Sequence, residues 1–586
     1  MKVGTRVFSI TLCAVALFFS MALQAQTTST GTQTNSGFTV SNPSTTPTST
    51  TPTPGGTTNG TPAPKTLPSF SDPGPRPVGN VSRTITGAKL QNSIVNVLEP
   101  ADPAAASDNN DGAGQVIANG GPTTGFWFQA LTVFGQEATV NGASNGNGTA
   151  TVTGLGPAFN GNSCVVCHSQ PSIGGSSPAT NPQIALATLH GATNTVPSFL
   201  SSTGPIQEAR FILDLANDPS GSTLDGGVHE LFTIQGRTDA PSGCTISQPD
   251  FATARSQGNL ITRIPLPTFG EGFVENVTDA TLEANLAANA SAKSNLGIIG
   301  RFNRNGNDGT ITRFGWKAQN KSLLLFAGEA ANVELGVTNE LFQNEKVPGT
   351  NCAGSTPEDN TAVLVPTAFP TGTTLSGAQA ASEISSDIEN FAFFMRFNAS
   401  PSQCDFASGV NSSGAAVCNA LGSQAVAGKA LFGTSSNSGI GCVLCHTDTL
   451  TTGTSPVPKF NNATFHPFSD FALHHMGAVL TDGITQGLAG PDEFRTPPLW
   501  GLGQRLFFMH DGRCKDLVCA IEAHASDVRE CSAVVTGAQA FAVNGVQFQP
   551  GIETIACGSE ANAVMNNYHN LTSAQKQQLF DYLRSL

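Results

Sequence analysis

Cys164-Val165-Val166-Cys167-His168 returns later in the chain as Cys442-Val443-Leu444-Cys445-His446. That repeated C-x-x-C-H constrains the chain more than any other feature. The spacing is the attachment signature of c-type haem. The two thiols add across the vinyl groups of the macrocycle, the two residues between them make the tight turn, and the His is placed at once to bind iron from the proximal side. A disulfide or half of a zinc site explains one such match. Two matches in an exported chain point to two covalently bound haems and to redox chemistry. Cys164, Cys167, Cys442 and Cys445 are the attachment residues, and His168 and His446 are the proximal ligands.

The start of the chain reads as a secretory signal over 1–25. Lys2 and Arg6 are basic, Val7 to Leu23 is mostly apolar, and Leu23-Gln24-Ala25 ends in a small residue. No later run is long and apolar enough for a stable membrane span. The expectation is a periplasmic or secreted protein. A formal net charge of −14 argues against nucleic acid as a partner and favours a positively charged redox donor. Outside the signal and the haem thiols, eight cysteines remain, an even number that fits disulfides in an oxidising compartment. Cys404 with Cys418 is the favoured pair because it closes a short Gly/Ser-rich loop. The other pairings stay open.

Residues 26–67 are Ser, Thr, Pro, Gly and Asn with almost no large apolar side chains, too little to offset the entropy of ordering. They read as a disordered linker. Residues 68–150 read as an N-terminal extension, with Phe126-Trp127-Phe128 opening an apolar segment. Residues 151–350 are the first expected haem domain and 380–586 the second, divided by a Pro/Thr/Gly-rich stretch at 346–376. Helical spacing appears over 318–334, 380–396, 424–432 and 571–586. A helix running into the second CxxCH and a closing helix packed across it is how cytochrome c domains begin and end. The predicted fold is mainly α: two cytochrome c-like haem domains with long loops.

Arg495-Thr-Pro-Pro-Leu-Trp500-Gly-Leu-Gly, running on to His510-Asp-Gly-Arg513, resembles the bacterial di-haem cytochrome c peroxidase superfamily. His466-Pro-Phe-Ser-Asp-Phe-Ala-Leu-His474-His475-Met476-Gly477, Arg313-Phe-Gly-Trp316-Lys317-Ala318 and Gly156-Pro-Ala-Phe-Asn160 are in the style of its di-haem oxidoreductase branch. The resemblance covers about 150–586 and implies a peroxidase-like enzyme using a small oxidant, peroxide or O₂, with an exported electron donor. It places the second haem's distal ligand fourteen residues beyond His510, at His524, where the peroxidases usually carry Met. Met476 and Met509 are alternatives. A bis-imidazole iron would sit at lower potential than a His/Met one.

Within Asn332-Val333-Glu334-Leu335-Gly336, the resemblance makes Glu334 the catalytic acid–base, with Glu329 its rival. It makes Trp316 the tryptophan between the haems. The position that can cap the first haem in the peroxidases is here Ile184, which cannot bind iron, and the nearest candidate is His190. The first haem is therefore expected to have an open or water-bound sixth site. His474 and His475 are expected to be hydrogen-bonding residues, and His510 to donate to a propionate or to backbone. The resemblance also allows Ca²⁺ held between domains by backbone oxygens, which leaves no side-chain pattern to read. Two further readings stay open: a dioxygen-using enzyme similar to the latex-cleaving di-haem rubber oxygenases, and a di-haem electron carrier.

Overall fold

A computed structural model describes residues 39–40, 70–74, 83–84, 130–131, 133–140, 151–346, 352, 386–398, 403, 421–526, 541–543, 546–548 and 558–586. The expected signal, nearly all of the linker, most of the N-terminal extension, the 346–376 boundary except Lys346 and Cys352, and Cys404 with Cys418 lie outside the described residues.

The described part of the chain is not mainly α. About a third of the described part, 32%, is helical, 12% is strand, and the sheets have only two or three strands. The cause lies in composition. Sixty-three glycines and thirty-six prolines favour turns, and Pro removes a backbone donor wherever it falls.

Six helices do the positioning. Helix α1 is Glu271–Asn276. Helix α2, Leu323–Leu335, is N-capped by Ser322 and ends at Gly336 in the left-handed region. Helix α3, Asp387–Phe397, starts with a Ser386/Glu389 capping box. Helix α4 is Ser423–Phe432 and leads towards the second CxxCH. Helix α5 is the short Leu517–Glu522. Helix α6, Ser573–Leu583, starts with a Thr572/Gln575 capping box. The predicted helix boundaries fall within a few residues of α2, α4 and α6.

Two small sheets matter to the site. Strand β1 (Glu208–Phe211) pairs antiparallel with β2 (Val228–His229) on one side and β3 (Leu260–Arg263) on the other. Strand β4 (Leu473–His475) pairs with β5 (Glu493–Arg495), with Leu473 opposite Arg495.

The largest apolar cluster gathers Phe134, Phe269, Phe314 and Leu323 with Phe391, Phe394, Phe471 and Trp500. It therefore draws on residues far apart in the chain. A second cluster joins Phe432, Leu517, Leu579, Phe580, Tyr582 and Leu583, so α6 closes over α4. The crossing is close: a Cβ added at Gly428 would run into the Gln578 carbonyl oxygen. Gly428→Ala should therefore destabilise the protein by about 1–3 kcal/mol through overpacking. Denaturant unfolding checks this, and a neutral result would mean that the helices can slide apart.

The N-terminal residues 70–74 strap this end of the molecule. Phe70 packs on Phe580 at 5.7 Å between ring centres. Asp72 takes Arg584 in a two-point pair, Nε to Oδ1 at 2.8 Å and Nη2 to Oδ2 at 2.6 Å. Its Oδ2 also accepts the Leu517 amide at 2.7 Å, at the first residue of α5. Burial alone would raise the Asp72 carboxyl. The Arg584 charge and the Leu517 and Gly74 amides outweigh it and hold the group below its ordinary value. Asp72→Ala leaves a buried guanidinium without its anion and should cost about 3 kcal/mol. A carboxyl lowered in the native state contributes fully above the unfolded value near pH 4 and loses that contribution as pH falls through the native value. The stability gap between wild type and variant should therefore narrow in acid, as read by thermal unfolding across pH.

Candidate active site

Two cavities open beside the two CxxCH segments, with about 1400 and 1440 Å³ of empty space.

In the first, Cys164–Cys167 makes a single helical turn, and the His168 amide closes it by donating to the Cys164 carbonyl at 3.0 Å. The preceding residues are pinned to the end of α2. Asn160 and Gly161 donate their amides to the Glu334 carbonyl at 2.7 and 3.1 Å, and Gly156 donates to Leu335 at 3.0 Å. Gly156 and Gly336 meet backbone to backbone with no room for a Cβ on either. This contact carries the Glu334 side chain to the same cavity as Cys164, Cys167 and His168. Trp316, Glu329, Arg210, Arg263, Glu271 and Met395 line it too.

In the second cavity, Cys442–Leu444 forms a 3₁₀ turn and His446 donates its amide to Cys442 at 2.9 Å. His524, just past the end of α5, lines the same cavity, as do Met476, Met509, His510 and Arg505. The His446 and His524 rings lie 6.4 Å apart at 62°.

All three candidate ligands share one anchoring pattern. His168 Nδ1 lies 3.0 Å from the Gly175 carbonyl, His446 Nδ1 3.0 Å from Phe468, and His524 Nδ1 2.8 Å from Ala520. A carbonyl oxygen only accepts, so each Nδ1 carries the proton and each Nε2 presents a bare lone pair. Burial pushes His168 and His524 down and takes His446 to about 4, so all three rings are neutral near pH 7.

These residues fit haem. Cys164, Cys167, Cys442 and Cys445 are free thiols, whereas Cys244–Cys352 and Cys514–Cys519 are disulfides. An iron held from both sides by imidazoles at bonds of about 2 Å would set ring centres roughly 6 Å apart, close to the His446–His524 spacing.

Glu334 is raised well above the ordinary carboxyl range by burial and then by the nearby Glu208 charge. Glu329 is also raised by burial, and it takes a hydrogen bond from Asn320. Glu271, at the start of α1, carries no sequence signal that singles it out for chemistry. Burial takes it to about 7, and its Oε2 has no hydrogen-bond partner. Arg210 and Arg263 escape sequence reasoning as well. They sit on β1 and β3, and only the sheet register turns both towards the cavity.

Trp316 lines both cavities. Its Nε1 donates to the Ile264 carbonyl at 2.9 Å, and its ring lies 6.3 Å from that of His510. His510 stacks on Phe494 at 4.4 Å. His474 is held between Asp470 at 3.0 Å and Glu560 at 2.8 Å, and His475 contacts Asp492 at 3.0 Å. His190 is not among the residues lining the first cavity, and Ile184 packs in a separate apolar cluster.

A family model described as "Di-haem oxidoreductase, putative peroxidase" matches residues 225–542, more than half of the chain. The chain belongs to the di-haem oxidoreductase family. The family's name implies two haems. The matched span holds the second CxxCH, His524, Trp316 and Glu334, and the first CxxCH precedes it. No curated protein matches the chain. Among the described residues, no helix is long and apolar enough to cross a membrane.

Proposed function

We propose that this di-haem oxidoreductase is an exported peroxidase-like enzyme with two covalently held c-type haems in two haem-binding modules. Cys164 and Cys167 would hold one, and Cys442 and Cys445 the other. His168 would be the iron-binding imidazole of the first, and His446 and His524 those of the second. The observation that carries the reading is the pair of cavities with Trp316 in the wall of both. Haem, when bound, supplies an iron that exchanges single electrons and activates a small oxidant, peroxide or O₂.

The chain's own groups do the rest. The Nδ1 hydrogen bonds fix each imidazole in one tautomer. Trp316 relays electrons between the cavities, from the side fed by an exported donor to the side that meets the oxidant. A net charge of −14 favours a donor with a positive face. Glu334 takes a proton on a carboxylate oxygen and returns it, and burial together with the Glu208 charge favours its protonated form. Among the described lining residues of the first cavity, His168 is the sole imidazole and Met395 the sole thioether, so an open first site requires Met395 to stay off the iron. Calcium bound through backbone oxygens would be a further component, and metal analysis of the purified protein would detect it.

One feature favours a second reading. The peroxidases usually carry Met where this chain has His524, and the bis-imidazole pair resembles the second site of the rubber oxygenases. Turnover of peroxide with a reduced donor, against turnover of polyisoprene under oxygen, separates the two. A wholly low-spin ferric protein inert to cyanide would instead mark an electron carrier.

His524→Ala should convert the second haem to a high-spin or water-ligated form in absorption and EPR spectra. An unchanged spectrum would exclude His524 as a ligand. Glu334→Gln should slow peroxide turnover by about 100-fold or more, the scale of losing a general acid–base group. An unchanged rate would move the proton chemistry to Glu329 or Glu271.

A further inference from the structure

Arg495 carries a buried charge that no ion pair among the described residues offsets, with the Phe471 ring 5.8 Å from its guanidinium. It lies on β5, is 2% exposed, and lines both cavities. Its backbone amide donates to the Trp316 carbonyl at 2.9 Å, and its Nε donates to Gly315 at 2.9 Å. Its Nη1 is buried without a hydrogen-bond partner. The carboxylate that acts on it is Glu271, and no ion pair joins the two among the described residues. A buried guanidinium with an idle donor is strongly unfavourable unless an anion completes it. Other arginines in the walls differ. Arg263 lines only the first cavity and is already paired with Asp482 at 2.6 Å. Arg505 lines only the second.

We propose that Arg495 is a shared carboxylate clamp: its planar fork binds a propionate from each macrocycle and so ties the electrostatics of the two redox sites together. The inference rests on the reading that each cavity takes a haem, whose propionates are the missing anions. A guanidinium presents five donors in one plane, enough for two carboxylates from opposite sides, whereas a lysine offers a single point charge. Because Arg495 also holds the Trp316 carbonyl, the same residue sets the charge beside the tryptophan that separates the sites. Arg495 is a positioning residue here, not a catalytic one.

Spectroelectrochemical titration of the holoprotein tests this. Arg495→Gln removes the cation and should lower both reduction midpoints, each by about tenfold in the reduction equilibrium, or about 59 mV for a one-electron couple. Arg505→Gln should lower the second midpoint alone. A shift of one midpoint only in Arg495→Gln, or of neither, overturns the shared clamp. If the Gln variant does not fold, Arg495→Lys keeps the charge, and resonance Raman should then show the propionate bending bands of both haems displaced. Bands unmoved in either haem overturn the proposal. Fewer than two haems in the wild-type protein, by haemochrome assay, would instead defeat the underlying reading, and the clamp with it.

Discussion

Three imidazoles hold the candidate site together by the same device: a ring nitrogen donating to a backbone carbonyl. The device needs a carbonyl that has been released from regular structure. Gly175 and Phe468 supply theirs from loops and Ala520 from the last turn of α5. A helix interior spends its carbonyls on its own ladder and has none to give. Two of these three carbonyls therefore come from segments outside regular structure. The segments that look irregular are those that present oxygen atoms to histidines and bring backbone close to two large cavities.

The wall between the cavities is built on different principles. Trp316 is fixed from both sides by its neighbours in sequence. Lys317 is fully buried, and its Nζ donates to the Gly490, Pro491 and Glu493 carbonyls at 2.8, 3.0 and 3.1 Å and pairs with Asp482 at 3.1 Å. Asp482 also takes Arg263, which precedes the Ile264 that accepts the indole N–H. Burial would raise Asp482, but the Lys317 and Arg263 charges hold it far below the carboxylate range. Such a satisfied buried network adds little net stability compared with apolar packing, but it specifies one geometry. Here it fixes the indole that both cavities share.

The legible part of this site was the part written in contiguous residues. CxxCH is readable because covalent attachment needs two thiols and an imidazole within a few bonds of one another. The closing helix α6 was readable because its apolar spacing and cap are local. His524 could be reached only by counting from His510, since α5 is too short to announce itself. Glu271 and Arg495 were not legible as a pair. One opens α1 and the other ends β5, and a buried polar atom left without a hydrogen-bond partner is a tertiary property. Disulfides behaved likewise. Cys244–Cys352 spans 108 residues, and a rule that prefers short loops does not find it. The mainly α expectation failed for a related reason: helices were inferred from their periodicity, while bridges such as Gln170 with Ser176 or Phe508 with Cys514 leave no periodic trace.

His524 brings these threads to one place. Its helix has fewer than two turns, far below the length at which a helix is stable alone, so its position must come from outside. Asp516 caps it through the Cys519 amide at 2.8 Å, the Cys514–Cys519 bond closes its first turn, and Asp72 takes the Leu517 amide. Past it, Ser526 exchanges hydrogen bonds with Asn562 at 3.0 and 2.8 Å. A single imidazole is thus held by a covalent link, a cap and two contacts from distant parts of the chain. His446 needs no such support, because it follows Cys445 directly and inherits its place from the turn. The asymmetry matches the roles proposed for the two: a ligand beside a covalent attachment inherits its place from the turn, whereas a ligand far from it in sequence must be positioned by the fold.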